Sequence, residues 1–200
     1  MRINITGNAG AGKTTLALEI SRSLNLPFVS LDSIVWMPGW KKIPSVQRRE
    51  LEQELVERPS WVIDGISERV RQVSDFVIFL DVPRHRCTWR GLKRSLQFIN
   101  RSRPELPENC PEWRNLPRLM RIIWKFPSKA GLAIRQEAEH SPDRYRIVTG
   151  PIDFESVIGL LRTPNTSPPA GRPAVAGEFK RSAKDACIIE SDCTLDSLAS

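Results

Sequence analysis

The stretch Gly7-Asn8-Ala9-Gly10-Ala11-Gly12-Lys13-Thr14 decides the fold of this chain. It matches the pattern G-x-x-x-x-G-K-[ST] at every defined position. Residues 2–6 before it predict a short buried strand, and residues 13–24 after it predict a helix with one apolar face. A glycine-rich turn in this position directs backbone N–H groups at phosphate oxygens, and the helix N-terminus adds a favourable dipole. The sequence therefore predicts a P-loop that binds a nucleoside triphosphate.

The P-loop pattern also assigns roles to individual side chains. Lys13 is expected to reach the β- and γ-phosphates of ATP, and the Thr14 hydroxyl to ligate Mg²⁺. ATP and Mg²⁺ are thus the predicted cofactors. The predicted ATP-binding residues are Gly7, Asn8, Ala9, Gly10, Ala11, Gly12, Lys13, Thr14 and Thr15.

The rest of the chain alternates apolar strand candidates with helical segments, which is typical of a parallel α/β sheet. The further predicted strands are residues 28–31, 61–64, 76–81 and 145–149, and the further predicted helices are residues 45–58, 84–99 and 154–161. The expected fold is a three-layer P-loop NTPase with a five-stranded parallel sheet.

Charge is concentrated in residues 84–135, which hold 13 lysines and arginines against three glutamates in a chain of net charge +7. We predict that this stretch is a helical, basic lid inserted over the sheet edge. Such a block attracts polyanions, and both nucleotide phosphates and nucleic acid qualify. The kinase-like domain is expected to span residues 1–162, and the proline-, alanine- and serine-rich residues 163–200 are expected to be a disordered tail.

Composition excludes several classes of protein. No apolar run approaches the ~18 residues of a membrane span, and no signal peptide is recognisable. The four cysteines lack CxxC spacing and there are two histidines, so a structural zinc site is not indicated. We expect a cytoplasmic protein with reduced thiols, a small-molecule partner and no membrane partner.

Three aspartates follow predicted strands, at the sheet edge where ligands of parallel α/β folds bind. Asp32 could accept a proton from a substrate hydroxyl, or could cap the following turn. Asp64 could hold Mg²⁺ through water, with Gly65 allowing close ligand approach, or could form a strand-end turn. For Asp81, before Pro83, a structural turn is the favoured interpretation.

Aromatic and basic residues complete the candidate site. Trp36 and Trp40 could stack on a flat substrate or could cover the sheet edge. Arg90 and Arg94, at i and i+4 on a predicted helix, share a face and could clamp phosphates during phosphoryl transfer; the alternative is a solvated basic face. Two further arginines follow in the next loop, where a solvated role is favoured: Arg101 and Arg103.

Several motifs occur in an order that resembles the adenylate-kinase-like branch of P-loop kinases. More closely, residues 1–161 resemble the bacterial proteins called DNA topology modulation protein (FlaR-type). The motifs are Leu31-Asp32-x3-Trp36-x3-Trp40, Trp61-Val62-Ile63-Asp64-Gly65, Leu80-Asp81-x-Pro83, Trp89-Arg90-x3-Arg94, Arg103-Pro104, Cys110-Pro111-Glu112 and Trp124-x-Phe126-Pro127.

The resemblance implies an ATP-binding, kinase-like protein in which Asp32 and the Trp36 region face the acceptor and Arg90 and Arg94 close from the lid. Nucleoside monophosphate kinases commonly have Asp-Gly-x-Pro-Arg after the third strand, where the arginine grips the acceptor phosphate. Here the stretch is Asp64-Gly65-Ile66-Ser67-Glu68-Arg69, without proline and with Arg69 one position late. The topology modulation group tends to have Gly-Asn-Tyr where this chain has Gly65-Ile66-Ser67.

The leading functional hypothesis is a small-molecule kinase that transfers the γ-phosphoryl group of ATP to an acceptor held near Asp32. The catalytic residues would be Lys13, Asp32, Arg90 and Arg94, and the acceptor-binding residues would be Asp32, Trp36, Trp40, Gly65 and Arg69. The alternative is a nucleotide-switched, DNA-associated regulator, because tryptophans interleave the basic block. No helix-turn-helix, zinc-finger or RNA-recognition pattern supports it. A motor or assembly ATPase is a third, weaker hypothesis.

Overall fold

The computed structural model describes residues 1–99 and 109–162. Its strands are β1 (Arg2–Gly7), β2 (Phe28–Ser30), β3 (Trp36–Met37), β4 (Lys41–Lys42), β5 (Trp61–Asp64), β6 (Phe76–Leu80) and β7 (Tyr145–Val148). Its helices are α1 (Lys13–Leu24), α2 (Leu31–Val35), α3 (Ser45–Glu57), α4 (Glu68–Val73), α5 (Arg84–Gln97), α6 (Glu112–Lys125), α7 (Ala130–His140) and α8 (Phe154–Arg162). Arg101, Arg103 and the tail of residues 163–200 lie outside the described residues.

Five strands form one parallel sheet in the order β2-β5-β1-β6-β7, which confirms the predicted fold class. The register pairs Ile5 and Ser30 with Asp64, and Gly7 with Leu80. The ends of β1, β2, β5 and β6 therefore meet at one edge of the sheet. The loops that follow these strands carry the predicted site residues, so the topology alone brings them together.

Helices cover both faces of the sheet, which explains why the central strand β6 is apolar throughout. On one face, α1 and α8 pack with α5 and α6 through buried residues such as Leu16, Ile158 and Ile123. On the other face lie two smaller clusters, one beneath α3 and α4 and one beneath α7. Burial of these side chains on two faces is the main source of stability for this architecture.

The predicted basic insertion, residues 84–135, contains α5, α6 and the first six residues of α7. Ile123 of α6 and Ile134 of α7 are fully buried in the clusters on opposite faces of the sheet. These helices therefore belong to the two layers that cover the sheet. That residues 84–135 act as a lid closing over the site stays a prediction.

A small hairpin, β3–β4, was not predicted from the sequence. Its two strands are two residues each, too short for a period-2 pattern to show, and they pair antiparallel apart from the main sheet. Within the described residues, no helix is both long and apolar enough to cross a bilayer.

Candidate functional site

The P-loop joins β1 to α1 as the sequence predicts. The Ala11 amide donates to the Asn8 carbonyl at 3.1 Å, which closes the turn. The Lys13 Nζ atom donates to the same carbonyl at 3.0 Å, so its ammonium group is held across the loop. Helix α1 begins at Lys13, and its N-terminal dipole therefore lies beside this positive charge. Both features favour an anion at this position.

The Asn8 side chain braces the loop from behind. It is 2% exposed, its Oδ1 atom accepts from the Ala9 amide at 2.8 Å, and its Nδ2 atom donates to the Ile123 carbonyl of α6 at 2.9 Å. This side chain is therefore used within the protein, and the contribution of Asn8 to a phosphate site would come from its backbone. Asn8 is at a variable position of the P-loop pattern, so the pattern could not predict its contact with Ile123.

Gly10 lies against the start of α5. Its φ angle is +80°, and a Cβ atom there would lie 2.5 Å from the Cys87 carbonyl oxygen, so both backbone conformation and space require glycine. Cys87 is fully buried below the loop. Burial raises the pKa of its thiol, while the positive charges of Lys13 and Arg90 act in the opposite direction. The thiol is thus uncharged, and it packs beneath the loop near the positive charges of Lys13 and Arg90.

Arg90 and Arg94 are the two candidate arginines on α5, and Arg90 reaches the P-loop. Its Nη1 atom donates to the Ala11 carbonyl at 3.4 Å. Arg94 lies one turn further along the same helix and is half-buried. The structure thus brings Lys13 and Arg90 to one loop, where two cations could neutralise a polyphosphate.

Thr14 and Asp64 meet at the carboxyl edge of the sheet. The Thr14 hydroxyl donates to the Asp64 Oδ2 atom, and the Asp64 side chain is 4% exposed. Mg²⁺ prefers hydroxyl, carboxylate and water oxygens, and it is usually held by few protein ligands. The chemistry of this pair therefore fits the predicted Mg²⁺ ligands, although the described residues contain no cluster of three or more His, Cys, Asp or Glu side chains.

Asp32 lies in α2, two residues after Ser30, which is the residue of β2 that pairs with Asp64. Its side chain is exposed, and the N-cap position of α2 is occupied by Ser30, so Asp32 does not cap this helix. Gly65 permits close packing here, because a Cβ atom on it would lie 2.7 Å from the Leu31 Cβ atom. The close approach at Gly65 is thus to α2 and not to open space for a ligand.

The two tryptophans are used in packing. The Trp36 ring is 9% exposed, with the Arg118 guanidinium 4.6 Å from its centroid and the Trp40 ring edge-on at 5.2 Å. The Trp40 Nε1 atom donates to the Pro111 carbonyl at 2.8 Å. Neither ring covers the edge of the main sheet; together they fasten the β3–β4 hairpin to the start of α6. The Trp36 ring is therefore covered and offers no open face to a flat substrate.

Two other candidate residues have structural contacts. Arg69 is exposed, and its Nη1 atom lies 3.4 Å from the Arg49 carbonyl of α3, so this contact is with α3 and not with the P-loop. Asp81 accepts from the Arg135 Nη2 atom at 2.7 and 2.8 Å. This ion pair ties the end of β6 to α7, as expected for a structural role.

Ile152 lies beside the P-loop and was not predicted from the sequence. A Cβ atom on Gly12 would lie 3.3 Å from the Ile152 Cδ1 atom and 3.9 Å from the Arg90 Nη1 atom. Ile152 follows β7, so a fifth strand also delivers a side chain to this edge. Its apolar surface could line the site next to the cations. A lone isoleucine after a strand gives no signal in the sequence.

No family model matches the chain. Many solved structures are similar to it, and three of them are shikimate kinases. The one from Aquifex aeolicus is 22% identical with a TM-score of 0.40, and the match covers 80% of this chain and 93% of that one. The one from Acinetobacter baumannii, in complex with shikimate, is 18% identical with a TM-score of 0.49, covering 80% and 89%. The one from Bacteroides thetaiotaomicron is 22% identical with a TM-score of 0.45, covering 81% and 96%. At these identities and TM-scores the likeness gives no ground for transferring an activity or an acceptor.

Proposed function

We propose that this protein is an ATP-dependent small-molecule kinase. The observation that carries the proposal is the meeting of Lys13, the Thr14–Asp64 pair and Arg90 around one P-loop. An anion-binding loop, two cations and an oxygen-rich metal site are the parts that phosphoryl transfer needs, because its catalysis is mostly positioning and charge neutralisation.

In this proposal the γ-phosphoryl group leaves the β-phosphate oxygen of ATP and forms a bond with an acceptor oxygen. Lys13 and Arg90 neutralise the charge of the phosphates, and the loop amides orient them. Asp32 accepts the proton of the acceptor hydroxyl. Thr14 and Asp64 hold Mg²⁺, directly and through water, and the ion would neutralise phosphate charge when bound.

The acceptor is proposed to be a small molecule bound between Asp32 and the P-loop. Because Trp36 is covered, its presence no longer favours a planar acceptor over a polyol or a hydroxy acid. Arg94 would approach the transferred group from α5 as the site closes. The finer grouping with FlaR-type proteins stays a prediction from the sequence motifs.

The DNA-associated alternative is less favoured, since some of the basic residues that suggested it have contacts of their own. Arg90 contacts the P-loop, Arg118 covers Trp36, and Arg135 pairs with Asp81. A nucleotide site and local packing thus explain part of the charge without nucleic acid.

The test is Mg-ATP turnover against a panel of acceptors. The panel holds nucleosides, nucleoside monophosphates, small polyols and hydroxy acids, including shikimate, with a reaction that lacks acceptor. We expect ADP release above the acceptor-free rate for one chemical class. ATP binding without stimulation by any class would favour the nucleotide-switch alternative, and a salt titration of DNA binding would then follow.

A further inference from the structure

A row of exposed apolar side chains runs along α5. Trp89 is 67% exposed and Leu96 is 62% exposed, and Leu92 and Ile99 are exposed as well. Residues 89, 92 and 96 follow the spacing i, i+3, i+7, which places them on one face of α5, and Ile99 lies two residues beyond the end of this helix. Lone exposed apolar residues are ordinary on protein surfaces, but three in a row on one helix face, followed by a fourth, are not.

A second row, on α6, borders the first helix. It contains Trp113 and Trp124, both more than half exposed, and Met120, which lies on the same helix face between them and is partly buried against the core. Trp124 lies beneath the Arg84 guanidinium of α5, with 5.0 Å between the guanidinium carbon and the ring centroid. The Met120 Cε atom lies 3.7 Å from the position of a Cβ on Gly91. The rows therefore belong to adjacent helices and form what we call the α5–α6 face.

The two helices that form this face carry an excess of positive charge. Helix α5 has five basic residues and no acidic one, and α6 has four basic residues with Glu112 as its one acidic residue. Lys93, Arg114 and Arg121 are exposed on these helices. Tryptophan and leucine on one side of a helix, with lysine and arginine flanking them, characterise helices that lie in the plane of a membrane interface.

The α5–α6 face is distinct from the candidate active site. Arg90 reaches the P-loop, whereas the apolar row is rotated about 100° or more around the helix from Arg90, at 100° per residue. A partner on the apolar row therefore need not block the loop. Neither Trp89, Leu92, Leu96 nor Ile99 has a role in the proposed phosphoryl transfer, so the kinase function leaves this row unexplained.

We propose that the α5–α6 face docks on the surface of a bilayer that contains anionic lipids. The basic flanks complement the negative surface potential, and the apolar row enters the boundary between headgroups and acyl chains. Single-stranded nucleic acid would also use the charges and the tryptophans, but it offers nothing to Leu92, Leu96 and Ile99. The face binds at the membrane surface, and neither helix crosses the bilayer. The proposal departs from the sequence expectation of no membrane partner, which rested on the lengths of apolar runs and on the signal peptide.

The first test measures binding of the full chain to vesicles by co-sedimentation. The vesicles contain phosphatidylcholine alone or phosphatidylcholine with about one third phosphatidylglycerol or phosphatidylserine, at low salt. Leu96→Asp removes an exposed apolar side chain from the face. The matched control is Val46→Asp, because Val46 on α3 is 60% exposed, almost the same as Leu96. Thermal melting by circular dichroism checks that both variants fold.

We expect binding to the anionic vesicles only, and a decrease in the partition coefficient of about tenfold or more for Leu96→Asp, from the lost transfer of a leucine side chain. Val46→Asp should bind like the unmodified protein. Equal effects of the two substitutions, or equal binding to neutral vesicles, would overturn the proposal.

A second pair of variants tests the charge. Lys93→Glu lies on the α5–α6 face, and Lys41→Glu lies on the β3–β4 hairpin, and both lysines are exposed. We expect Lys93→Glu to weaken anionic-vesicle binding by more than about fivefold, the effect of one cation near the surface, and Lys41→Glu to have a smaller effect. Absence of vesicle binding, together with salt-sensitive binding of a single-stranded oligonucleotide that Lys93→Glu weakens, would assign the face to nucleic acid instead.

Discussion

Thr14 and Asp64 are the two residues proposed to hold Mg²⁺. Their side chains are hydrogen-bonded to each other at the end of β5, and Asp64 is buried. The chain provides a matched comparison, because Asp81 directly follows strand β6 of the same sheet but is paired with Arg135. The two aspartates therefore allow the proposed metal ligand, Asp64, to be compared with a carboxylate in an ion pair.

Asp64→Asn keeps the size of the side chain and an acceptor for Thr14 but removes the negative charge. We expect affinity for ATP in the presence of Mg²⁺ to fall about tenfold or more, as when a carboxylate leaves a metal site, with little change when Mg²⁺ is absent. Isothermal titration with and without Mg²⁺ measures both. Asp81→Asn should change thermal stability and leave the Mg²⁺ dependence intact; the same Mg²⁺ effect in both variants would contradict the assignment of Asp64.

Gly10 and Gly39 both have positive φ angles, but only Gly10 is crowded by its neighbours, so the two positions allow steric crowding and backbone strain to be compared. Their φ angles are +80° and +77°, but a Cβ on Gly10 would meet the Cys87 carbonyl, whereas nothing lies within 4 Å of one on Gly39. Gly39→Ala should cost about 1 kcal/mol of unfolding free energy, from the positive φ alone. Gly10→Ala should cost about 1–3 kcal/mol more and weaken ATP binding. Urea unfolding and nucleotide titration test this, and equal costs for the two alanines would refute the close packing of the loop on α5.

At the level of elements, α6 connects the P-loop to the β3–β4 hairpin. Its Ile123 carbonyl accepts from Asn8 of the P-loop, its Arg118 covers Trp36, and the Pro111 carbonyl at its start accepts from Trp40. A displacement of α6 would therefore disturb both the loop and the β3–β4 hairpin. We infer that this helix fixes the distance between the P-loop and the hairpin.

Asn8→Ala removes the link between the P-loop and α6. We expect a loss of about 1–3 kcal/mol in unfolding free energy, because the Ile123 carbonyl is left without its donor, and weaker ATP binding from a loop that is less well ordered. The control is Asn115→Ala on α6, which lies outside the link. Nucleotide titration together with urea unfolding distinguishes the two variants, and unchanged ATP affinity in Asn8→Ala would show that the link does not shape the loop.

The strands of the main sheet and helices α1, α3, α5 and α8 could be predicted from the sequence because each carries a local signal. Helices α2 and α4 were not predicted, since five and six residues are too few to show a helical period. The limits of α1 and β5 agree with the sequence prediction, since a P-loop fixes one and a tryptophan-to-glycine apolar run indicates the other. The positions of Lys13 in the P-loop and of Asp64 at the end of β5 follow from the same motifs. The packing of Trp36 under Arg118, the link from Asn8 to Ile123 and the approach of Ile152 could not be predicted. They join residues 82, 115 and 140 positions apart, and no periodicity or motif encodes such pairs.

For the molecule as a whole, the edge of the sheet opposite the P-loop is held by a network of charges. Arg71 of α4 is 5% exposed and donates to both carboxylate oxygens of Glu137 on α7, at 2.8 and 2.9 Å. The Tyr145 hydroxyl donates to Glu137 at 2.7 Å, and Arg144 donates to three carbonyls that include Arg71 and Ser74. The network joins α4, α7 and β7, so it fastens one half of the sheet to the other.

This network predicts an acid dependence of stability. The hydrogen bonds from Arg71, with that of Tyr145, lower the pKa of Glu137 from its ordinary value of 4.5. The stabilisation is therefore present above about pH 4.5 and is lost as the pH falls through the lower pKa of the folded state. Glu137→Gln should cost about 2 kcal/mol near neutral pH and reduce the loss on acidification. Urea midpoints between pH 3 and 7 measure it, with the exposed neighbour Glu139→Gln as control; parallel curves for Glu137→Gln and the unmodified protein would exclude this role.

The most direct test of the kinase proposal follows the γ-phosphoryl group of labelled ATP. The protein, Mg²⁺ and the acceptor panel are incubated with ATP labelled at the γ-phosphorus, and the label is located after separation of the products. The same reaction is run with Lys13→Ala and with Lys129→Ala, a control at an exposed lysine away from the P-loop.

We expect label to move to one class of acceptor, and Lys13→Ala to lower this rate about 1,000-fold or more without a change in melting temperature, since Lys13 would neutralise charge that develops in transfer. Lys129→Ala should transfer at the normal rate. Label that passes only to inorganic phosphate, or transfer that survives in a folded Lys13→Ala variant, would contradict the assignment of this site to a kinase.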